Sequence, residues 1–419
     1  MLPDLIKILS CLFDDKVSDR TERMVSMQTK LKHPNLTILA LLLSSFMASA
    51  DTMVLQPIID LLATDVFPEY GYSMSAMIMN ISAIALAVIS VASGALVRFG
   101  KKRLIILGTI FFTVGGVAGS FITNIYYIWF TRLFEGFGAG LVMTVSLMMI
   151  PQIFTDQARV DKIMGYNGIL MALFSGIITF TSGYLALVSW KLPFMYYLVG
   201  VVILVFQVLY IPDDRKELAA EGGAPAKSHI SKAGVMHAIS GLAFGLFTSF
   251  FFVCISGVLA ENGVGDASMA GTASTFNTIG SFISGFFFAY LFGKLKDYSF
   301  TVFYLFMIVA WAGLLNTSNA IMVYFAAFVN GIGWNLFFSG YLAKVSMISE
   351  ESSVEANMAL ANGVFYIGQF LTPFAMTAIT AIFGNTSPVF AMKVVWVILA
   401  ILAVLHLISA IASSKKQKA

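Results

Sequence analysis

Three ionisable residues stand within long apolar runs: Asp51 between Leu41 and Ile59, and Arg132 with Glu135 between Ile125 and Met143. A charged group at bilayer depth costs roughly 3 kcal/mol on insertion scales, so it persists where it is paired or used. Arg132 and Glu135 are three residues apart and share one face of a helix. Two carboxylates beside one guanidinium can take up and release a proton, titrating as a coupled pair rather than as separate groups. The same guanidinium could instead grip a substrate carboxylate through two parallel hydrogen bonds. The third reading is a static salt bridge that anchors two helices. All three stay open on residue type alone.

The second half of the chain has no mid-membrane acid. Its polar inventory is neutral: Asn277, Asn330, Asn335, Asn357, Asn362 and Gln369. Asn330, Trp334, Asn335 and Gln369, together with Arg132, are the candidate substrate contacts, against the alternative that the asparagines only bond helix to helix. Phe247, Phe250–Phe252, Phe286–Phe288 and 22 methionines suit either an adaptable apolar cavity or plain packing and lipid contact. A basic run, Arg98-Phe-Gly100-Lys101-Lys102-Arg103, follows the second apolar segment. Two cysteines, Cys11 and Cys254, and four scattered histidines offer no disulfide framework and no metal-ligand spacing. No phosphate-binding Gly-rich loop or nucleophile–base constellation occurs, so no cofactor, metal or enzymatic reaction is expected. His406 and Lys393 read as a neutral histidine and a snorkelling lysine.

These groups need helices to hold them in one layer. The chain has 419 residues, 58% hydrophobic and only 11% charged, with a mean hydropathy of +0.87. Soluble domains carry about 25% charged residues, so a soluble enzyme and a nucleic-acid binder both fit poorly. Twelve apolar segments are expected, at 36–62, 74–97, 104–123, 125–149, 163–187, 193–211, 234–259, 269–292, 299–316, 319–343, 356–383 and 388–412. Each approaches the ~20 residues that a helical span requires, and unpaired backbone cannot face lipid, so the segments must be helices. On this reading Asp51 lies about 16 Å, Arg132 about 10 Å and Glu135 about 15 Å from the outer helix ends, in a single layer.

Lys and Arg set the orientation. With both termini in the cytoplasm, 22 of the 25 fall in inner segments, Lys191 alone falls outside, and Arg132 and Lys393 lie within helices. No cleavable leader pattern opens the chain. Residues 1–33 form a cytoplasmic segment, where Leu5–Phe13 would make an interfacial helix unless translation starts at Met24 or Met27. A polar linker at 212–233 divides six helices (34–211) from six more (234–412), and 413–419 is a cytoplasmic tail. Shifting the chain by 195 residues superimposes Gly136 on Gly331, Gly138 on Gly333, Asn167 on Asn362, Gly168 on Gly363 and Pro193 on Pro388, with Glu135 on Asn330. The halves are therefore a parallel repeat, related by an axis along the membrane normal, with a site between them.

Local motifs give this architecture a family likeness. Ser93-Gly-Ala-Leu-Val-Arg98-Phe-Gly100-Lys101-Lys102-Arg103 resembles the G-x-x-x-D-R-x-G-R-R loop of the major facilitator superfamily, with Ser93 for the first Gly and Val97 for the Asp, and the resemblance implies a gating loop at Arg98, Gly100, Lys101 and Lys102. Arg132-Leu-Phe-Glu135-Gly136-Phe-Gly138 resembles the R-x-x-q-G-x-g motif of its proton-coupled members. Asp156–Arg159 after Pro151, Trp190–Phe194 and Gly368-Gln369-x-x-x-Pro373 look like further landmarks. The likeness covers residues 34–412. Asp51 ahead of Gln56-Pro57 is similar to the first helix of twelve-helix drug:proton antiporters, whose fifth-helix G-P-x-x-G-G is replaced here by the Pro-free Ser175–Gly183.

The resemblance implies an all-α integral membrane protein of twelve helices in two pseudo-symmetric six-helix bundles. It also implies proton-coupled efflux of small amphipathic or hydrophobic compounds by a monomer, multi-pass in a bacterial inner membrane, with no nucleic-acid partner. Uptake of an organic anion through Arg132 is the alternative, and a non-transporting receptor or scaffold is the alternative of another class.

Overall fold

The computed structural model describes residues 33–154, 156–213, 230–350 and 353–418. The interfacial-helix candidate, the alternative starts, Cys11, His229 and most of the linker lie outside the described residues. Regular structure among the described residues is helical throughout. In chain order the helices are α1 (Pro34–Val66), α2 (Gly71–Leu96), α3 (Lys101–Ala118), α4 (Ile125–Ile153), α5 (Gln157–Val188) and α6 (Leu192–Tyr210), then α7 (Lys232–Glu261), α8 (Ala267–Leu295), α9 (Ser299–Leu315), α10 (Ala320–Ile348), α11 (Val354–Phe383) and α12 (Pro388–Lys418). Among the described residues ten of these are long and apolar enough to cross a membrane. The other two are α3, which spends its first three residues on Lys101, Lys102 and Arg103, and α9, at 17 residues.

Caps move several ends from where hydropathy places them. α5 begins at Gln157 rather than 163 because the Asp156 carboxylate accepts the Ala158 N–H at 3.1 Å. α10 begins behind Asn319, whose side chain accepts from Ile321 and Met322 at 2.9 and 3.3 Å, and it runs on to Ile348 rather than 343. α12 continues through the residues expected to form a tail. α1 is broken within its span. Its regular turns stop at Met53, a 3-10 turn follows at Gln56–Ile58, and a wide π turn closes it at Leu62–Val66. Pro57 supplies no N–H, so the rung to the Met53 carbonyl is missing where the regular turns stop.

Small residues set the closest crossings, as packing within a membrane favours. Gly108 of α3 and Gly138 of α4 meet backbone to backbone. Gly136 of α4 lies on Ser82 of α2, and Gly331 of α10 on the Asn277 carbonyl of α8. The first six helices meet the last six along α2–α11 and α5–α8. At the end bearing the 67–70 and 262–266 connections these contacts are tight. Tyr72 donates to the Val253 carbonyl at 2.9 Å and accepts from the Gly257 N–H at 3.1 Å. The Asp60 N–H donates to Ser256 at 3.2 Å, and Gly183 and Gly271 bring α5 and α8 into backbone contact. Toward the opposite end, Gly165 and Gly168 on α5 and Gly293 on α8 have no atom within 4 Å of where a Cβ would point. A central cavity lies between the two sets of helices.

Candidate functional site

The break in α1 builds the site. Where the regular turns end, the backbone carbonyls of Asp51 and Val54 turn to side chains on other helices. Val54 takes a hydrogen bond from Ser182 of α5, and Asp51 takes one from the Arg132 guanidinium of α4. Arg132 is fully buried, and its donors are all engaged. Nη1 donates to Glu135 at 2.7 Å and to the Tyr197 hydroxyl at 2.6 Å. Nη2 faces the Asp51 carboxylate at 3.2 Å and Ser82 at 3.4 Å, and Nε donates to the Ile78 carbonyl at 3.2 Å. A guanidinium has five N–H groups, and this set leaves none for a further ligand.

Asp51 offers its second oxygen to Thr52 at 3.2 Å. Glu135 is wholly buried, and its Oε1 has no hydrogen-bond partner among the described atoms. With all three groups ionised, the knot would hold one uncompensated negative charge away from water, which is expensive. A single proton removes it and gives a carboxyl a donor to offer.

The central cavity, about 380 Å³ in volume, touches this knot on one side only. Among the described residues Asp51 is the one Asp, Glu, Lys, Arg or His that lines it. Trp334, Asn335 and Gln369 line it from the second half. Trp334 lies parallel to Phe338 at 5.3 Å and edge-on to Phe252 at 5.7 Å, and Asn335 donates to Ser284 at 3.0 Å. Arg132, Glu135 and Asn330 do not line it and stand behind its wall. Asn330 accepts from the Trp311 indole at 2.8 Å and donates to Asn277 at 2.9 Å.

The sequence does not mark out Tyr197 and Ser82, because a hydroxyl in an apolar run carries little signal. For Tyr197 the only hint is its place just after the Trp190–Phe194 landmark. The basic loop is separate from the cavity. Arg98 is exposed, with its guanidinium 5.0 Å from the Phe99 ring. Gly100 adopts φ +95°, which a side chain would strain, and caps α3. Lys101 is buried, and Lys102 donates to the Val208 carbonyl of α6 at 2.9 Å.

Comparison with known proteins agrees with the fold and the motifs. The multi-drug resistance efflux pump PmrA of Streptococcus pneumoniae is 23% identical over 322 residues, 73% of this chain and 79% of the pump. Monosaccharide-sensing protein 2 of Arabidopsis thaliana is 24% identical over 158 residues, 37% of this chain but 22% of that much longer protein. A crystal structure of a D-xylose-proton symporter superimposes with a TM-score of 0.68 at 14% identity, covering 89% of this chain and 97% of the symporter. The family model described as Major Facilitator Superfamily matches residues 41–265. This multi-pass membrane chain belongs to the major facilitator superfamily.

Proposed function

We propose that the chain is a secondary transporter that exports small amphipathic or hydrophobic compounds in exchange for protons. In this reading it has twelve spans, in bundles 34–211 and 234–412 joined by the 212–233 linker, and it works as a monomer with both termini in the cytoplasm of a bacterial cell. The observation that carries the proposal is the position of Asp51: one face in the cavity, the other on Arg132, and through Arg132 to Glu135. A proton arriving from the cavity meets Asp51 first. Its charge is then lost and the carboxyl's attraction for Arg132 weakens, while the guanidinium keeps Glu135, Tyr197 and the Asp51 backbone carbonyl. Removing the proton restores the carboxylate's share of the link between α1 and α4. A cationic or polar substrate beside Asp51 competes with the proton, which is what exchange requires.

The likeness to an efflux pump supports export. With the 212–233 linker in the cytoplasm, the tight contacts at Tyr72 close the outer end, and the central cavity would open inward. Rocking of the halves about α2–α11 and α5–α8 would then exchange access. Capture of an organic anion by Arg132 is disfavoured, because its N–H groups are taken and it lies behind the cavity wall.

The test is Asp51→Asn in proteoliposomes with an imposed pH gradient, an internal pH dye and a panel of lipophilic cations and organic acids. Compound-driven proton movement should fall at least a hundredfold while compound binding survives. Unchanged proton movement would remove Asp51 from the mechanism, and flux without any proton movement in the wild type would reduce the knot to an architectural bridge.

A further inference from the structure

Gln56 sits in the 3-10 turn that interrupts α1, and its side chain is wholly buried. Neither its Oε1 nor its Nε2 has a hydrogen-bond partner among the described atoms, and among the described residues it is the one buried amide that lacks both. Buried polar groups are nearly all paired, so an exception of this kind calls for a cause. Plain packing would be served by an apolar side chain, as it is at the equally buried Leu55 and Ile58. The turn lies where the two halves are closed. It packs against α5 of its own half and against α7 and α8 of the other. Its neighbours are engaged there: Val54 accepts from Ser182, and the Asp60 N–H donates to Ser256. Thr52 and Met53, just ahead of the turn, line the central cavity.

We propose that Gln56 sets the balance between the two facing states of the carrier. Its amide is dry in the outer-closed arrangement and meets water in the outward-open path. This rests on the alternating access of the reading above, not on its proton exchange. Two of the three helices that cover the turn belong to the second half, so rocking of the halves uncovers it and extends the cavity past Gln56. Moving an amide from water to a dry site without a partner shifts an equilibrium by about tenfold. The other contacts at this end pull toward closure. Tyr72 bonds to Val253 and Gly257, and Gly183 and Gly271 bring backbone onto backbone. A carrier turns over only if both states are populated. The unpartnered amide offsets the closing contacts and keeps the outward-open state within reach.

Cys254 allows a direct test. It is wholly buried on α7, beside the Val253 carbonyl that accepts from Tyr72, and it does not line the central cavity. In full-length protein carrying Cys11→Ser it is the sole thiol. With the protein in lipid nanodiscs at pH 8, the rate at which a maleimide labels Cys254 follows the population whose outer end is open. Folding is checked by the unfolding temperature. Gln56→Met keeps the size of the side chain and removes its polar atoms, whereas Gln56→Glu puts a carboxylate in the same place. We expect Gln56→Met to slow labelling at least fivefold and Gln56→Glu to speed it at least fivefold. A side chain that only fills space would give shifts of one sign, since either substitution would loosen the packing. Any pattern other than these opposite shifts would overturn the role of Gln56, and a wild type that is still labelled would leave alternating access standing. A folded wild type whose Cys254 never reacts would overturn the opening of this end, and the role of Gln56 with it.

Discussion

The knot around Glu135 and the one around Asn330 occupy equivalent places in the two halves. At the 195-residue offset Glu135 pairs with Asn330, Gly136 with Gly331, and Ser82 with Asn277. In each half the glycine brings α4 onto α2, or α10 onto α8, at that same partner. The contents differ. In the second half Ala327 replaces Arg132, and a neutral chain of hydrogen bonds from Trp311 to Asn330 to Asn277 ties α9, α10 and α8 together. In the first half a guanidinium and two carboxylates tie α4 to α1, with Tyr197 reaching in from α6. Even the aromatic member changes helix. Trp311 projects from α9, whereas its counterpart Gly116 is bare and makes room for the Tyr197 ring. The neutral version shows that a repeat of this geometry can be anchored without any charge. Charge in the first half, costly to bury, therefore points to work beyond anchoring.

The largest effect is expected from removing the cation. Arg132→Met leaves Asp51 and Glu135 buried without a counter-charge, at a cost of about 3–5 kcal/mol. The purified protein should unfold at a much lower temperature or fail to accumulate, and near-normal stability would mean that the acids are already neutral or hydrated. Next comes Glu135→Gln, which gives the first half an amide like that of the second. An amide oxygen still accepts from Arg132, and Arg132 still pairs with Asp51, so stability should hold within about 1–2 kcal/mol. Proton movement per substrate should fall at least tenfold, and the pH dependence of transport should flatten. Retention of both would move the proton site to Asp51 alone.

Much of this contrast is legible in the sequence. Asp51, Arg132 and Glu135 stand out because charge in an apolar run is rare, and the offset alone sets Glu135 against Asn330. Helical content and family follow from hydropathy and motifs, whereas helix ends such as Gln157 depend on caps that hydropathy ignores. Which face a residue presents is harder to read. Asn330 and Asn335 lie in the same helix and are the same residue type, yet one is bound behind the wall and the other borders the cavity. Periodicity gives their separation around the helix, but only the position of α8 decides which side is the cavity. Tyr197 and Ser82 are invisible for a related reason: hydroxyls are common in membrane helices, and their role comes from the cation they meet.

The smallest effect on transport belongs to the neutral knot. Trp311→Phe keeps a ring in the packing of α9 against α10 but removes the indole donor, leaving the buried Asn330 oxygen without it. The loss should be about 1–3 kcal/mol, the cost of orphaning a buried acceptor, seen as a fall in unfolding temperature. Because no charge is involved, proton movement per substrate and the pH profile should match wild type, in contrast to Glu135→Gln. One variant removes a charge and the other a neutral donor from knots in equivalent places, so comparing them separates the two contributions. A Trp311→Phe protein whose pH profile shifted would show that the two knots respond to one another across the cavity, and the neutral half would then share in coupling rather than serve only as an anchor.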